Sequence, residues 1–122
     1  MPQTLGGSVI SQNQFQTVAF SDSAEAGMLR SAYLILATGD HDYKGHRVRA
    51  MHQIESAAKL LGMNISGDAK DRQSQPLSDA KLREAQGLLQ SVLAASDVKS
   101  QKRVTKHITE AINHINTALS IR

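Results

Sequence analysis

The chain has 122 residues and a formal net charge of +3, a length that suits one domain with one core and a charge below the density typical of nucleic-acid-binding proteins. Its apolar residues are mainly aliphatic, because there are only two Phe, two Tyr and no Trp, and aliphatic cores suit helix packing. The absence of cysteine excludes disulfides, thiolate catalysis and cysteine-ligated zinc.

The first segment, residues 1–21, is rich in Gly, Ser, Gln and Thr and shows no helical period. We interpret it as an arm that packs its scattered apolar residues on the domain or on a partner. It lacks the charged start and the apolar centre of a signal peptide, and no run approaches the roughly 20 apolar residues of a membrane span. The sequence therefore predicts a soluble protein, cytoplasmic or exported after removal of a leader that this chain does not show.

A first helix is predicted over 22–38. Asp22 followed by Glu25 resembles a capping box, and Gly39 suits the left-handed residue that often follows a helix. The residues at helical spacing that form its buried stripe are Leu29, Ala32, Tyr33 and Leu36.

A second helix is predicted over 43–61, with Asp42 as its N-cap and Gly62 after its end. Tyr43 would cover the turn between the two helices as an apolar lid, and His46 would lie in the first turn. One face of this helix carries Arg47, Met51, Ile54, Ala58 and Leu61.

Residues 63–77 mix Gly, Asp, Lys, Ser and Pro, which is typical of a surface crossover loop. A third helix is predicted over 78–95, capped by Ser78 or Asp79. A fourth helix begins within 97–103 and runs to the C-terminus. The third helix has the stripe Leu82, Ala85, Leu89, Val92 and Leu93, and the fourth has Val104, Ile108, Ala111, Ile112, Ile115 and Leu119.

The two halves of the chain resemble each other. Residues 29–37 align with 82–90, and residues 50–60 align with 111–121, with matching apolar positions in both alignments. This similarity indicates a tandem αα-hairpin, with chance similarity between amphipathic helices as the alternative.

The fold class that we predict is all-α, an up-down-up-down four-helix bundle with pseudo-twofold symmetry and an irregular N-terminal arm. The bundle covers 22–122 and consists of the hairpin 22–62, the crossover loop 63–77 and the hairpin 78–122.

In that arrangement the second and fourth helices start at the same end, which would then be basic. Helix N-termini favour anions, so we predict that this end meets an anionic ligand or protein partner; a solvated charged rim is the alternative. No aromatic side chains are interleaved for base stacking, which does not favour nucleic acid. The candidate ligand-binding residues are Lys44, Arg47, Arg49, Lys102, Arg103 and Lys106.

The turn between the first two helices is a second candidate site. His41, Asp42 and His46 could act as ligands of a divalent transition metal, or as a general base with its orienting carboxylate. The structural alternative makes Asp42 a helix cap and implies no cofactor. Arg47, placed on the buried face, would have to reach Asp40, Asp42 or a carbonyl at the end of the bundle.

Two histidine–carboxylate pairs, His52-x-x-Glu55 and His107-x-x-Glu110, each share one helical face. A dinuclear metal site in a bundle needs the reverse order and further inward carboxylates, so we interpret both as surface ion pairs. His52 points away from the buried stripe of its helix. His107 and His114 border the stripe of the fourth helix and face a neighbouring helix or water.

Residues 37–62, ATGDHDYKGHRVRAMHQIESAAKLLG, resemble a segment of small uncharacterised bacterial helical proteins, many of them exported, with a pattern close to Ala-Asp-His-Asp-Tyr-x-Gly-His-Arg. The resemblance implies a grouping and export, and no activity. It is carried by His41, Asp42, Tyr43, Gly45, His46 and Arg47.

No glycine-rich phosphate loop, nucleophile elbow or His-Glu-x-x-His motif occurs in the chain. We therefore expect a non-catalytic helical-bundle binding or structural module rather than an enzyme. The alternative is a metal-binding or enzymatic site on His41, Asp42 and His46. A third hypothesis is self-association, through residues 1–20 or through the helix flank that bears His107 and His114.

Overall fold

The computed structural model describes residues 23–65, 67, 73 and 75–121, and the arm predicted over 1–21 lies outside them. The protein is an all-α four-helix bundle, as predicted, and no helix in the described part of the chain has the length and apolar character to cross a membrane. The elements in chain order are α1 Ala24–Ala37, β1 Gly39–Asp40, a 3-10 turn Tyr43–Gly45, α2 His46–Leu60, β2 Gln75–Pro76, α3 Asp79–Ala94, the one-turn α4 Ser96–Lys99, and α5 Lys102–Ser120.

Helix α1 begins two residues later than predicted. Its N-cap is Ser23, whose hydroxyl accepts a hydrogen bond from the Ala26 amide at 3.1 Å. The hydroxyl thus satisfies one of the free amides of the first turn, so the cap predicted at Asp22 is wrong. The stripe predicted for this helix is confirmed, since its buried residues are Ala26, Leu29, Ala32, Tyr33 and Leu36.

Gly39 does not end α1 in the left-handed conformation that we predicted. Thr38 forms the C-cap, and Gly39 pairs in parallel with Gln75 in the two-residue ladder of β1 and β2. A Cβ on Gly39 would lie 2.7 Å from Cδ2 of Leu77 and 3.1 Å from the carbonyl oxygen of Ile35. The glycine therefore permits a close approach of the crossover segment to the end of α1.

The turn into α2 also differs from the prediction. The residue before α2 is Gly45, at φ 87°, and Asp42 makes no side-chain capping bond. Tyr43 and Lys44 also have positive φ, at 52° and 55°. Three successive left-handed residues form a tight turn that leaves the Asp42 side chain exposed, and its predicted role as the cap of the second helix is wrong.

The buried face of α2 is rotated from the predicted stripe. Arg47, Met51 and Leu61 are only partly buried. Gly62 follows the helix with a φ of 83°, the left-handed conformation that makes glycine favourable at a helix end. The fully buried face is mostly alanine, which lets helices approach closely, and consists of Ala50, Ile54, Ala57 and Ala58.

The third and fourth predicted helices are close to their observed positions. Ser78 caps α3 by accepting a hydrogen bond from the Lys81 amide. Val98 on α4 is buried, and α5 then begins at Lys102. The predicted stripes are buried except for Leu93 and Leu119, which are partly buried.

The helix directions differ from the predicted order. His46 near the start of α2 contacts His114 on α5, and Gln53 farther along α2 contacts His107. As the residue number increases along α2, the number of the contacting residue on α5 decreases, so these two helices are antiparallel. Since the start of α3 lies beside the end of α1, the order is up-down-down-up, and the predicted up-down-up-down order is wrong.

The length of the loop 63–77 permits this order, because the end of α2 and the start of α3 lie at opposite ends of the bundle. A helix of 15 residues is about 22 Å long, and the loop is long enough to cover that distance. Three of its described residues, Met63, Ile65 and Leu77, are buried against the core.

The four long helices form a ring in which each neighbour is antiparallel. Helix α1 packs against α2 and α3, and α5 packs against α2 and α3. A pseudo-twofold axis perpendicular to the helices therefore exchanges α1 with α3 and α2 with α5. The sequence repeat predicts which helices are exchanged, but not the direction of the axis. Repeat-related residues are buried as pairs: Leu29 and Leu82, Ala32 and Ala85, Ala50 and Ala111, and Ile54 and Ile115.

Candidate functional site

The basic residues predicted to share one end of the bundle lie at two opposite ends. Because α2 and α5 are antiparallel, their N-termini are separated by the length of the bundle, and the predicted single basic end is wrong. We call Lys44, Arg47 and Arg49 the α2 cluster, and we call Lys99, Lys102, Arg103 and Lys106 the α5 cluster.

Arg47 in the α2 cluster is bound within the protein. Its Nη1 donates to the carbonyl oxygen of Leu36 at 2.8 Å and contacts Sδ of Met51 at 3.4 Å. This carbonyl belongs to the last turn of α1, where a cation is favourable. The contact agrees with the expectation that Arg47 reaches a carbonyl, and it leaves Lys44 and Arg49 as the exposed cations of this cluster.

All four side chains of the α5 cluster are exposed. Within the described part of the chain they form no hydrogen bond or ion pair. The first turn of α5 contains no acidic residue, and Gln101 at the N-cap makes no side-chain capping bond. The start of a 19-residue helix thus combines cations with amides that the side chain of the N-cap residue does not cap.

In the described part of the chain, the two histidines of the turn candidate face different neighbours. His41 is exposed and lies edge-on to Tyr43, with ring centroids 4.2 Å apart. Asp42 is exposed, and His46 turns towards α5 instead. No three His, Asp or Glu side chains in the described ranges are grouped so that they could hold a metal ion.

Tyr43 is buried, as the predicted lid should be, and it has a further role. Its hydroxyl donates to the carbonyl oxygen of Leu77 at 2.9 Å, which ties the turn before α2 to the segment before α3. Burial, with a smaller contribution from the charge of Asp79, raises the pKa of this phenol above its ordinary value.

His46 and His114 form a contact between two titratable side chains of α2 and α5. Their Nδ1 atoms are 3.1 Å apart, and their ring centroids are 5.3 Å apart. The distance between the two Nδ1 atoms accounts for most of the distance between the ring centroids, so the two nitrogens point towards each other. One Nδ1 therefore donates a hydrogen bond to the other. Burial, and then the charges of His46 and Arg49, lower the pKa of His114, against a smaller opposing effect of Glu110.

The contact between His107 and Gln53 is the repeat-related counterpart of that pair. Nδ1 of His107 lies 2.7 Å from Oε1 of Gln53. The alignment of 50–60 with 111–121, extended back along α2 and α5 at the same offset, places His46 at the position of His107 and Gln53 at that of His114. Sequence reasoning missed both contacts, because the repeat alignment relates one contact to the other but does not show which residues of α2 and α5 lie opposite each other. His107 and His114 therefore face a neighbouring helix, which was one of the two predicted possibilities.

The two predicted surface ion pairs do not form in the described part of the chain. His52 is exposed, as predicted, while Oε2 of Glu55 accepts a hydrogen bond from the Tyr33 hydroxyl at 2.6 Å. His107 is turned towards Gln53 rather than towards Glu110. Both pairs fail because a neighbouring helix supplies a partner that the helical periodicity does not reveal.

A cleft of about 470 Å³ lies between α1 and the segment before α3. The side chains that line it are apolar or uncharged except Lys81, which pairs with Glu84 at 3.5 Å. The cleft brings together no acid, base or nucleophile with a partner. Its lining comprises Leu34, Ile35, Thr38, Gln73, Gln75, Pro76, Leu77 and Lys81.

Comparison with models of protein families, with curated proteins and with solved structures finds no match to this chain. The resemblance of residues 37–62 to small bacterial helical proteins therefore stays a prediction.

Proposed function

We propose that the protein is a non-catalytic helical bundle that binds an anionic ligand or protein partner through the α5 cluster. The observation that carries this proposal is the set of four exposed basic side chains at the start of α5 that have no partner among the described residues. The partner would supply carboxylate or phosphate groups.

The α5 cluster is favoured over the α2 cluster because its charges are all available. In the α2 cluster, Arg47 is occupied by the Leu36 carbonyl, and His46 is occupied by His114. Lys44 and Arg49 are the exposed cations there, and Asp42 is an exposed carboxylate in the same turn. The number of exposed cations open to a partner is therefore larger at the start of α5.

Electrostatics gives the α5 cluster a reason to bind an anion. A cation in the first turn of a helix opposes the helix dipole by about 0.3–1 kcal/mol, and here no acidic residue of that turn offsets it. A bound carboxylate or phosphate would neutralise the cations and accept hydrogen bonds from the first amides of α5. The cluster contains no aromatic residue for base stacking, so an acidic protein surface or a small anion suits it better than nucleic acid.

The experiment is a binding titration with inorganic phosphate and, separately, with a poly-glutamate peptide. We expect both to raise the thermal unfolding midpoint and the peptide to bind less tightly as salt is added. The triple variant K102E/R103E/K106E should lose this response.

The matched control is K44E/R49E, which reverses the two exposed charges at the opposite end of the bundle and should keep the response. No response from the wild-type protein, or equal loss in both variants, would contradict the proposal.

The metal or enzymatic alternative on His41, Asp42 and His46 has a separate test. It requires the turn to rearrange, because His46 is turned towards His114 and the described side chains hold no group of three ligands. It predicts stoichiometric zinc, nickel, copper or iron in untagged protein, lost in H41A and H46A. Elemental analysis distinguishes it from anion binding directly.

Self-association is the third hypothesis, and it has two candidate surfaces. On the flank that bears His107 and His114, both histidines already contact α2 within the chain, which disfavours that surface for a second copy. Self-association through residues 1–20, which lie outside the described part, stays a prediction; sedimentation of a chain without them tests it.

A further inference from the structure

We propose that the His46–His114 pair is a pH-operated latch, which holds the start of α2 on α5 when the pair is neutral and releases it when both rings are protonated. This inference is independent of the anion site, because His114 lies in the C-terminal half of α5 and the α5 cluster lies at its start. The argument depends on the hydrogen-bond chemistry of the two rings, on the charges around them and on their repeat-related counterpart.

A contact between two Nδ1 atoms at 3.1 Å requires a donor and an acceptor. A neutral imidazole provides one protonated and one unprotonated nitrogen, but an imidazolium has two donors and no acceptor. One proton shared between the rings preserves the hydrogen bond. A second proton places two donors and two positive charges against each other, so the contact becomes repulsive.

The surroundings of His114 disfavour its protonation. Among the described residues, the charged groups that act on His114 are His46 and Arg49 from α2 and Glu110 from α5, and none comes from α1 or α3. Arg49 is a fixed positive charge and opposes protonation, while Glu110 favours it more weakly. Both rings are partly exposed, so protons have access to them.

The His107–Gln53 contact differs from the His46–His114 pair because an amide oxygen takes the place of one imidazole nitrogen. This difference decides how each contact responds to pH. At the other end of the interface, Nδ1 of His107 faces Oε1 of Gln53 at 2.7 Å. An amide oxygen accepts from a neutral or a protonated imidazole, so this contact survives acidification. The α2–α5 interface therefore has one acid-sensitive end and one acid-resistant end.

The acid-sensitive end lies next to the turn that starts α2. His46 is the first residue of α2 and directly follows Tyr43, Lys44 and Gly45, which all have positive φ. Left-handed backbone at residues other than glycine costs free energy, so loss of the His114 contact would free a segment that is already strained. We expect the first turn of α2 to open and the Gln53 region to stay closed.

The test compares thermal unfolding of the full chain at pH 8 and pH 5 in the wild type and in two variants. H114Q replaces the pair by the His–Gln contact that occurs at the other end, and it should reduce the pH-dependent fall of the midpoint by about 4 °C. Q53H creates a second His–His pair and should increase that fall by a similar amount. Because Q53H keeps the native His46–His114 pair, it still tests the proposal if H114Q fails to fold.

Hydrogen exchange locates the effect. Amide protection factors in the first turn of α2 should fall between pH 8 and pH 5 in the wild type but not in H114Q, while those near Gln53 should change little in either protein. An identical pH dependence of the midpoint in all three proteins, or equal loss of protection at both ends of α2, would overturn the proposal.

Discussion

Nη1 of Arg47 on α2 donates a hydrogen bond to the carbonyl oxygen of Leu36 in the last turn of α1, at 2.8 Å. In the repeat alignment Arg47 takes the position of Ile108, which is fully buried on α5. One half of the bundle thus uses a long basic side chain where the other half uses an aliphatic one. The Nε atom of Arg47 is buried without a hydrogen-bond partner, so the guanidinium is only partly satisfied.

Arg47 therefore stabilises the fold less than its position suggests. We expect R47M to change the free energy of unfolding by less than about 1 kcal/mol, because the lost hydrogen bond is offset by removal of the unpartnered Nε and the aliphatic packing is kept. R47A should cost about 2 kcal/mol, since it also removes that packing. Urea denaturation measures both; a larger cost for R47M than for R47A would contradict this account.

Two glycines should respond in opposite directions to replacement by alanine. In G39A the new Cβ would meet Leu77 and the carbonyl of Ile35, and we expect a loss of about 1–3 kcal/mol from overpacking. Gly87 lies in the middle of α3 with open space around its Cβ position, so G87A should gain about 0.5–1 kcal/mol in helix propensity. Equal effects in chemical denaturation would show that the contact between Gly39 and the crossover segment does not constrain the fold.

The helices and most of their buried faces could be predicted from the sequence, because each face is encoded locally by apolar spacing. The order of helix directions could not be predicted from the sequence. An αα-hairpin repeat is compatible with a pseudo-twofold axis parallel to the helices and with one perpendicular to them. The loop 63–77 contained the one available signal, its length, which permits a crossing of the whole bundle.

The candidate sites could be predicted only in part, because they too depend on how the helices are arranged relative to one another. Lys102, Arg103 and Lys106 were identified as exposed cations from their positions on one helix, whereas their distance from Lys44 and Arg49 depends on which ends of two helices meet. The partners of His46 and His107 likewise come from another helix. Periodicity shows which side of a helix a residue occupies but not which residue lies opposite.

Tyr43 should link stability to alkaline pH. Its phenol has a raised pKa in the folded protein, so above about pH 10 the unfolded chain loses this proton more readily than the folded one and stability falls. Y43F cannot lose that proton, and its free energy of unfolding should decline less than that of the wild type between pH 9 and pH 11.

Near neutral pH the same variant should be less stable by about 1–2 kcal/mol, because the buried carbonyl of Leu77 loses the hydrogen bond from Tyr43. Denaturant titrations at pH 7, 9 and 11 separate the two effects. Parallel pH profiles for Y43F and wild type would show that the phenol does not contribute to the alkaline loss.

The left-handed turn before α2 offers a way to stabilise the protein. Lys44 has a φ of 55° and an exposed side chain, so it gains no packing in return for a backbone conformation that glycine adopts without strain. K44G should raise the free energy of unfolding by about 0.5–1 kcal/mol, whereas K44A keeps the Cβ and should leave it nearly unchanged. If K44A stabilises the protein as much as K44G, the gain comes from removing a positive charge near Arg47 and Arg49 and not from relief of the backbone.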